Sequence, residues 1–363
     1  MCQLEAVKSR KVIITGSLGL IGFEATQFFL DKGDTVIGID NDLRGKIFKI
    51  KTQYGRKLKK LKEKFPKTYL HYDCDITEKQ KINEIFKKNG KELFSVIHTA
   101  AQTSHDWAQK DPPLDFSINA FATLELLEAF KKYAADATFI FTSTNKVYGD
   151  SVNYLPLKEY KKRYDIPVQN KYYQGIPESY SIDQSMHSLF GVSKISADLL
   201  VQEYGRYFNL KTGVFRLGVV SGGGQSASLY QGFLSYLIEQ HFKSDGILVV
   251  GYKGKQVRDI IHARDVIAAF YEYARKPKSG EVFNMGGGRG NSVSILEILD
   301  KLETLAGKKA KINYIDVARK GDHIWWISDT DKFKKSYPSW RINYTIDDII
   351  SDIYKSYDLS GKV

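Results

Sequence analysis

The chain has 363 residues, 42% hydrophobic, 26% charged and 13% aromatic with eight prolines, a globular composition that excludes a mainly disordered or collagenous protein and leaves room for two domains. Its net charge of +12 is local, because ten Lys or Arg and one acid, Glu63, fall between Lys46 and Lys67; no aromatic RNA-reading signature accompanies them, so no nucleic-acid partner is expected. Cys2 and Cys74 exclude a disulfide framework, the seven histidines lack metal-ligand spacing, and no apolar run reaches the roughly 20 residues of a membrane span, so the protein reads as soluble and cytoplasmic, with no metal and no membrane partner.

In chain order, a β-branched strand at 12–16 leads into Gly16-Ser17-Leu18-Gly19-Leu20-Ile21-Gly22, which opens a helix. Glycines at this spacing allow a tight turn and close approach of backbone N–H groups to a pyrophosphate at a helix N-terminus. The second strand, 35–40, ends at Asp40, eighteen residues past Gly22, where a carboxylate can accept from an adenosine ribose and repel a 2′-phosphate. NAD is thereby favoured over NADP, with Asn41 beside it and Arg44 near enough to pair with that phosphate. Tyr54, Leu58, Leu61 and Phe65 recur at helical steps, predicting an amphipathic helix with a solvated lysine face; a polyanion-docking patch is the alternative. Asp75 and Ile76 follow the third strand and Ala100, Ala101 and Gln102 the fourth, at 95–101, where adenine and ribose edges would lie. A strand at 138–144, ending in Thr142 and Thr144, precedes a long ordered loop at 150–182. A sixth strand fills 211–217, and helices follow near 232–241, 292–306 and 346–357.

Strands alternating with helices specify an α/β fold: a Rossmann-type, doubly wound parallel sheet with a smaller C-terminal substrate-binding domain. The expected division is an NAD-binding domain at 1–217, to which 255–275 returns, and a second domain at 218–363.

The glycine motif, Asp40, Thr142-Ser143-Thr144 before Val147-Tyr148-Gly149, and a Lys194 four residues after the site of a helical aromatic together resemble the extended short-chain dehydrogenase/reductase family over most of the chain. The resemblance implies that Thr144 takes the catalytic Ser/Thr place and that Lys194 holds the nicotinamide ribose and favours a deprotonated phenol. Here Phe190 stands where that family has its tyrosine, and a benzene ring carries no proton. Other Tyr-x-x-x-Lys spacings fail: Tyr154 to Lys158 contains Pro156, and Tyr207 to Lys211 lies about four turns from Lys194. A relocated base, an introduced substitution and a binder without catalysis are the three explanations. For relocation the candidates are Tyr148, His187 or a water held by Thr144; a packed aromatic and a hydrogen-bonded turn histidine are the competing roles of the first two.

The strings Asp40-Asn41-Asp42-Leu43-Arg44, His98-Thr99-Ala100-Ala101-Gln102 and Ser143-Thr144-Asn145-Lys146 are similar to the branch of CDP-paratose and CDP-tyvelose 2-epimerases, in which Asn145-Lys146 replaces the Asp-Glu pair of dehydratases. That likeness implies a nucleotide-sugar substrate, CDP-linked, contacted by Ser104, Thr144, Asn145, His187, Gln256, Arg258, Arg319 and Asp322. It also implies NAD that oxidises and re-reduces one sugar carbon, and a homodimer formed through helices at 119–134 and 190–208. A 4-epimerase, another oxidoreductase and a non-catalytic binder are the alternatives. Val219, at the family's Asn position, is a second departure.

Overall fold

A computed structural model describes residues 10–50, 52–222, 232–243, 246–315, 317 and 321–358. Seven strands, β1 (Lys11–Thr15), β2 (Thr35–Ile39), β3 (Tyr69–Tyr72), β4 (Leu93–His98), β5 (Thr138–Thr144), β6 (Lys211–Leu217) and β7 (Glu281–Met285), form one sheet in the order β7-β6-β5-β4-β1-β2-β3. Every pairing in it is parallel. β1 pairs with both β2 and β4, so the connections diverge there and leave a crevice at the strand C-termini.

The strand sequences read as nearly continuous apolar runs because both faces are covered. Ile13, Val96, Phe139 and Val214 pack with Ile82, Phe86, Leu126, Phe130 and Val201 on one face. Val12, Ile14, Ile97, Phe215 and Phe283 pack with Ala25, Phe29, Ile267 and Phe270 on the other. Adjacent residues of one strand point to opposite faces, which is why Val12 and Ile13 belong to different cores.

β7 comes from a segment assigned by sequence to the smaller domain, and the helix Ala263–Arg275 packs on the sheet just before it. The return to the sheet therefore starts at the helix Ala263–Arg275, because Val257–His262 pairs outside this sheet, and it extends past residue 275 to a five-residue strand between Gly280 and Gly286, too short a pattern to read.

The second layer is built on Val257–His262, which pairs with Val219–Ser221 and Trp325–Trp326 in parallel and with Ser292–Ser294 antiparallel. Its core joins Leu234, Ile238, Ile298, Leu302, Ile349 and Ile350 from the helices Phe233–Lys243, Ile295–Ala306 and Ile346–Asp358. Gly222 is described, whereas Gly223 and Gly224 lie outside the described residues. The 150–182 stretch is ordered by Val152, Ile166 and Ile176, which pack on Trp325 and Trp326. No helix among the described residues is long and apolar enough to cross a membrane.

Candidate functional site

A cleft of about 550 Å³ opens along the C-terminal ends of β1, β2, β4, β5 and β6. At one end the glycine turn closes on itself: Gly16 adopts φ +67°, its N–H donates to the Ile39 carbonyl oxygen at 2.8 Å, and Gly19 N–H donates to the Gly16 carbonyl oxygen at 3.0 Å. A Cβ on Gly22 would stand 2.0 Å from the Gly16 carbonyl oxygen, so only glycine lets the helix Leu20–Asp31 start this close to the turn. Gly22 thus acts behind the wall, while Gly16, Gly19, Leu20 and Ile21 line the cleft.

Asp40 accepts from Leu18 N–H at 2.9 Å and from Asp42 N–H at 3.0 Å, one bond to each oxygen, which fixes its carboxylate beside the glycine turn. Burial raises its pKa, and those two N–H donors oppose the rise. Asn41 donates to Asp75 at 3.0 Å, and Arg44, Asp75, Ile76, Ala100 and Ala101 complete this end. The basic helix, Tyr54–Lys64, is amphipathic as expected, but its lysine face is not wholly solvated. Lys57 is 8% exposed and donates to the Leu18 and Gly19 carbonyl oxygens at 3.1 and 3.4 Å. Burial pushes its ammonium down to about 8. Periodicity put Lys57 among charged neighbours and gave no sign that it alone turns inward.

At the other end of the cleft stand Thr142, Thr144, Asn145, Phe190 and Lys194. Lys194 Nζ donates to the Thr142 carbonyl oxygen at 2.8 Å and lies 4.1 Å from the centre of the Phe141 ring. Burial pushes this ammonium down to about 7, with Asp198 and Asp115 acting in the opposite sense. Thr144 Oγ1 accepts from Lys146 N–H at 3.2 Å, a turn that holds its hydroxyl at the cleft. Gln102 lines the cleft and is locked from behind by Asn119 and Asp115.

Several expected residues serve elsewhere. Tyr148 is fully buried, donates to Asn284 at 2.8 Å, accepts from Arg216 at 3.0 Å and stacks on Trp326. Burial pushes its phenol up to about 12, and it does not line the cleft, so the packed-aromatic role is the one observed. His187 precedes the helix Ser188–Phe208 and pairs with Ser185 Oγ at 3.3 Å, again away from the cleft wall. Ser104 is spent on capping the helix His105–Lys110, accepting from Trp107 N–H at 3.2 Å, while its neighbours Thr103 and His105 face the cleft. Tyr154 and Tyr207, the rivals for a Tyr-x-x-x-Lys pair, are exposed.

From the smaller domain, Arg258 donates to Asp322 at 2.8 Å, and Lys146 reaches the same oxygen at 3.2 Å and the Gly321 carbonyl oxygen at 3.0 Å. Burial opposes charge on Asp322, but the Arg258 and Lys146 cations overcome it and hold this carboxyl far below its usual range. The Lys146–Asp322–Arg258 cluster ties the loop after β5 to the smaller domain. Gln256 is buried, and Gln256, Arg258 and Asp322 all lie outside the cleft wall. Arg319 lies outside the described residues.

A sequence model of the NAD dependent epimerase/dehydratase family matches residues 12–286, which span the sheet and the cleft. The chain belongs to that family. It is 31% identical to the CDP-paratose 2-epimerase of Salmonella typhi over 97% of this chain and 100% of that protein. It is 27% identical to the UDP-glucuronate 4-epimerase of Thermodesulfobacterium geofontis, covering 93% and 92%. The fold matches that of Bacillus cereus UDP-glucuronic acid 4-epimerase, solved with UDP-glucuronic acid and NAD, at TM-score 0.77 and 23% identity over 96% of this chain and 99% of that one. The family's cofactor is NAD, and the residues present fit it: the turn at Gly16 to Gly22 leaves backbone room for a pyrophosphate, Asp40 would offer a ribose an acceptor, and the small Ala100 and Ala101 would leave space for adenosine.

Proposed function

We propose that this member of the family is a nucleotide-sugar epimerase, acting on a CDP-linked sugar at C2 with tightly held NAD and no net redox change. The observation that carries this reading is that Thr144, Asn145 and Lys194 share one cleft with the glycine turn and Asp40, in a chain that aligns end to end with a CDP-paratose 2-epimerase.

When bound, NAD supplies reversible oxidation of a carbinol carbon. The residues of the chain do the rest. Asp40 and the glycine turn hold the adenosine diphosphate end. Thr144 Oγ1 hydrogen-bonds the reacting sugar oxygen, and the Lys194 ammonium favours negative charge developing there. Asn145 and Lys146 offer no carboxylate pair to eliminate water, and Lys146 is already engaged with Asp322, which speaks against dehydration. The Asp322–Arg258 pair stiffens the substrate side of the cleft, and these two residues with Gln256 support the sugar-nucleotide subsite.

A homodimer is part of the same reading. Phe116, Phe121, Leu189, Val192 and Leu199 are exposed, and they lie on the stretch 116–121 and on the helix Ser188–Phe208, which pack side by side. A second copy of the chain covering this face would bury a continuous apolar surface. The free thiol of Cys74 fits a reducing, cytoplasmic setting.

The deciding experiment offers the purified protein CDP-paratose, UDP-glucose and UDP-glucuronate separately and reads the inverted carbon by NMR. Inversion at C2 of the CDP-sugar is expected. Inversion at C4 of a UDP-sugar would make it a 4-epimerase instead.

A further inference from the structure

We infer that His105 carries the substrate hydroxyl proton in this chain, replacing the phenol that Phe190 lacks; the inference rests on the epimerase reading above. His105 opens the helix His105–Lys110, which Ser104 caps, and it lines the cleft together with Phe190, Thr144 and Lys194. Its ring lies against Phe190, with centroids 4.9 Å apart and planes at 58°. The imidazole therefore borders the same part of the cleft as the aromatic that supplies no proton.

The second observation is the partner of that imidazole. His105 Nδ1 lies 3.0 Å from Ser188 Oγ, which also accepts from Gly191 N–H at 3.3 Å. A hydroxyl oxygen has two lone pairs, so Ser188 can accept from Gly191 N–H and from Nδ1–H together. With Nδ1–H donating to Ser188, as the assignment requires, the basic lone pair is on Nε2. Ser188 holds its hydroxyl there from a left-handed backbone, φ +61°, an uncommon conformation for a residue with a side chain. Below it, Ser193 and Asn119 lock the helix through Asp115. The other side-chain candidates lack this access, since Tyr148 is sealed in the core and His187 lies away from the cleft wall.

Titratable groups on the elements packed against this imidazole include Asp106 on its own helix, Asp115 on the adjoining Pro112–Phe116 helix, Lys194 on the Ser188–Phe208 helix and His187, which precedes that helix. In the proposed step the sugar O–H bond breaks and its proton passes to Nε2, while the C–H bond of that same carbon gives its hydride to the oxidised dinucleotide and the C–O bond becomes a carbonyl. On return the carbonyl is reduced and Nε2–H gives the proton back to the oxygen. The imidazole ends each cycle neutral, and Ser188 is a positioning residue that acts through it.

The test uses the whole protein with CDP-paratose as probe. His105→Gln keeps a polar side chain but carries no proton, and it is expected to slow interconversion about 100-fold or more, with bound dinucleotide and KM within a few-fold of the parent. Phe190→Tyr in that background is expected to restore turnover, because the phenol then stands four residues before Lys194. NMR of the labelled imidazole nitrogens, which needs no turnover, is expected to show Nδ1 protonated and Nε2 responding to CDP-paratose. Should His105→Gln not fold, Ser188→Ala reads the same point: a loss of kcat without a rise in KM, with a changed tautomer, supports the assignment, and an unchanged tautomer overturns it. Parent-like turnover in His105→Gln, or imidazole nitrogens indifferent to bound CDP-paratose, overturns the role of His105 and leaves the epimerase reading intact. A parent protein that binds no CDP-sugar overturns both.

Discussion

Lys194 reaches from the helix Ser188–Phe208 to the main-chain oxygen of Thr142, 2.8 Å away, and so pins the helix to the strand that ends in Thr144. A single ammonium thereby holds the spacing between the two sides of the reaction site. Lys194→Met removes both the anchor and the charge. Turnover of the CDP-sugar is expected to fall by about 10²- to 10⁴-fold, a range typical for loss of a proton-transfer or charge-stabilising group. Parent-like turnover in the folded variant would contradict the role given to this lysine.

The same residue makes a prediction about pH. Burial pushes Lys194 down to about 7 in the folded chain, against about 10.4 for an unperturbed lysine. Between those values the unfolded chain holds the proton and the folded chain does not, so stability of the dinucleotide-free protein rises with pH through that window. Lys57, pushed down to about 8, adds to the same slope. Thermal midpoints recorded across the window should climb in the parent and climb less in Lys194→Met; equal slopes would refute the downward shift that burial gives this lysine.

Two glycines separate crowding from flexibility. Gly22→Ala forces a Cβ to within 2.0 Å of a carbonyl oxygen, and overpacking of this kind costs about 1–3 kcal/mol. Gly55→Ala, in the helix Tyr54–Lys64 with nothing within 4 Å of the added atom, should stabilise by roughly 0.5–1 kcal/mol. Denaturant unfolding of the two variants is expected to move in opposite directions, and Gly22→Ala is expected to weaken NAD binding as well.

Asp40 accepts one backbone N–H with each oxygen. Asp40→Ala releases the glycine turn and the ribose acceptor together, and loss of a charged hydrogen bond of about 1.5–3 kcal/mol corresponds to a decline of roughly 10- to 100-fold in NAD affinity. Preference over NADP should shrink at the same time, since the repelling carboxylate is gone. Unchanged affinities in equilibrium dialysis would move the ribose contact elsewhere.

The apolar face predicts assembly. Phe121, 54% exposed, and Leu199, 47% exposed, stand on neighbouring elements. Phe121→Glu combined with Leu199→Glu is expected to convert a dimer to a monomer in light scattering with little change in secondary structure. A parent protein that is already monomeric at micromolar concentration would contradict the pairing.

The residues explain what could be read in advance. Central strands declare themselves through β-branched runs, and the strand at 138–144 was legible to the residue because its β-branched and aromatic residues form one unbroken run that stays buried up to Thr144. β7 was missed as a strand because its five residues hold an Asn at 284, whose side chain serves the Tyr148 and Ile176 contacts rather than an apolar core. In the site, glycine spacing and Asp40 were legible because each has a fixed offset from a strand, and Lys194 was legible only through its family-like spacing from Phe190. His105 and Lys57 were not: one sits seven residues past the end of β4 and the other within a lysine run, and neither faces the cleft until the chain has folded. A weak signal existed for His105, the Ser104 cap that begins its helix next to the Ala100-Ala101 turn. Tyr148 shows the converse, a motif residue drawn into the Arg216–Asn284 network.

The measurement that tests the account most directly follows CDP-paratose by proton NMR and by absorbance of reduced nicotinamide together, with the protein as purified and no dinucleotide added. The C2 epimer is expected to accumulate to a constant ratio while the absorbance stays flat. No epimer, or reduced nicotinamide released in step with product, would contradict it.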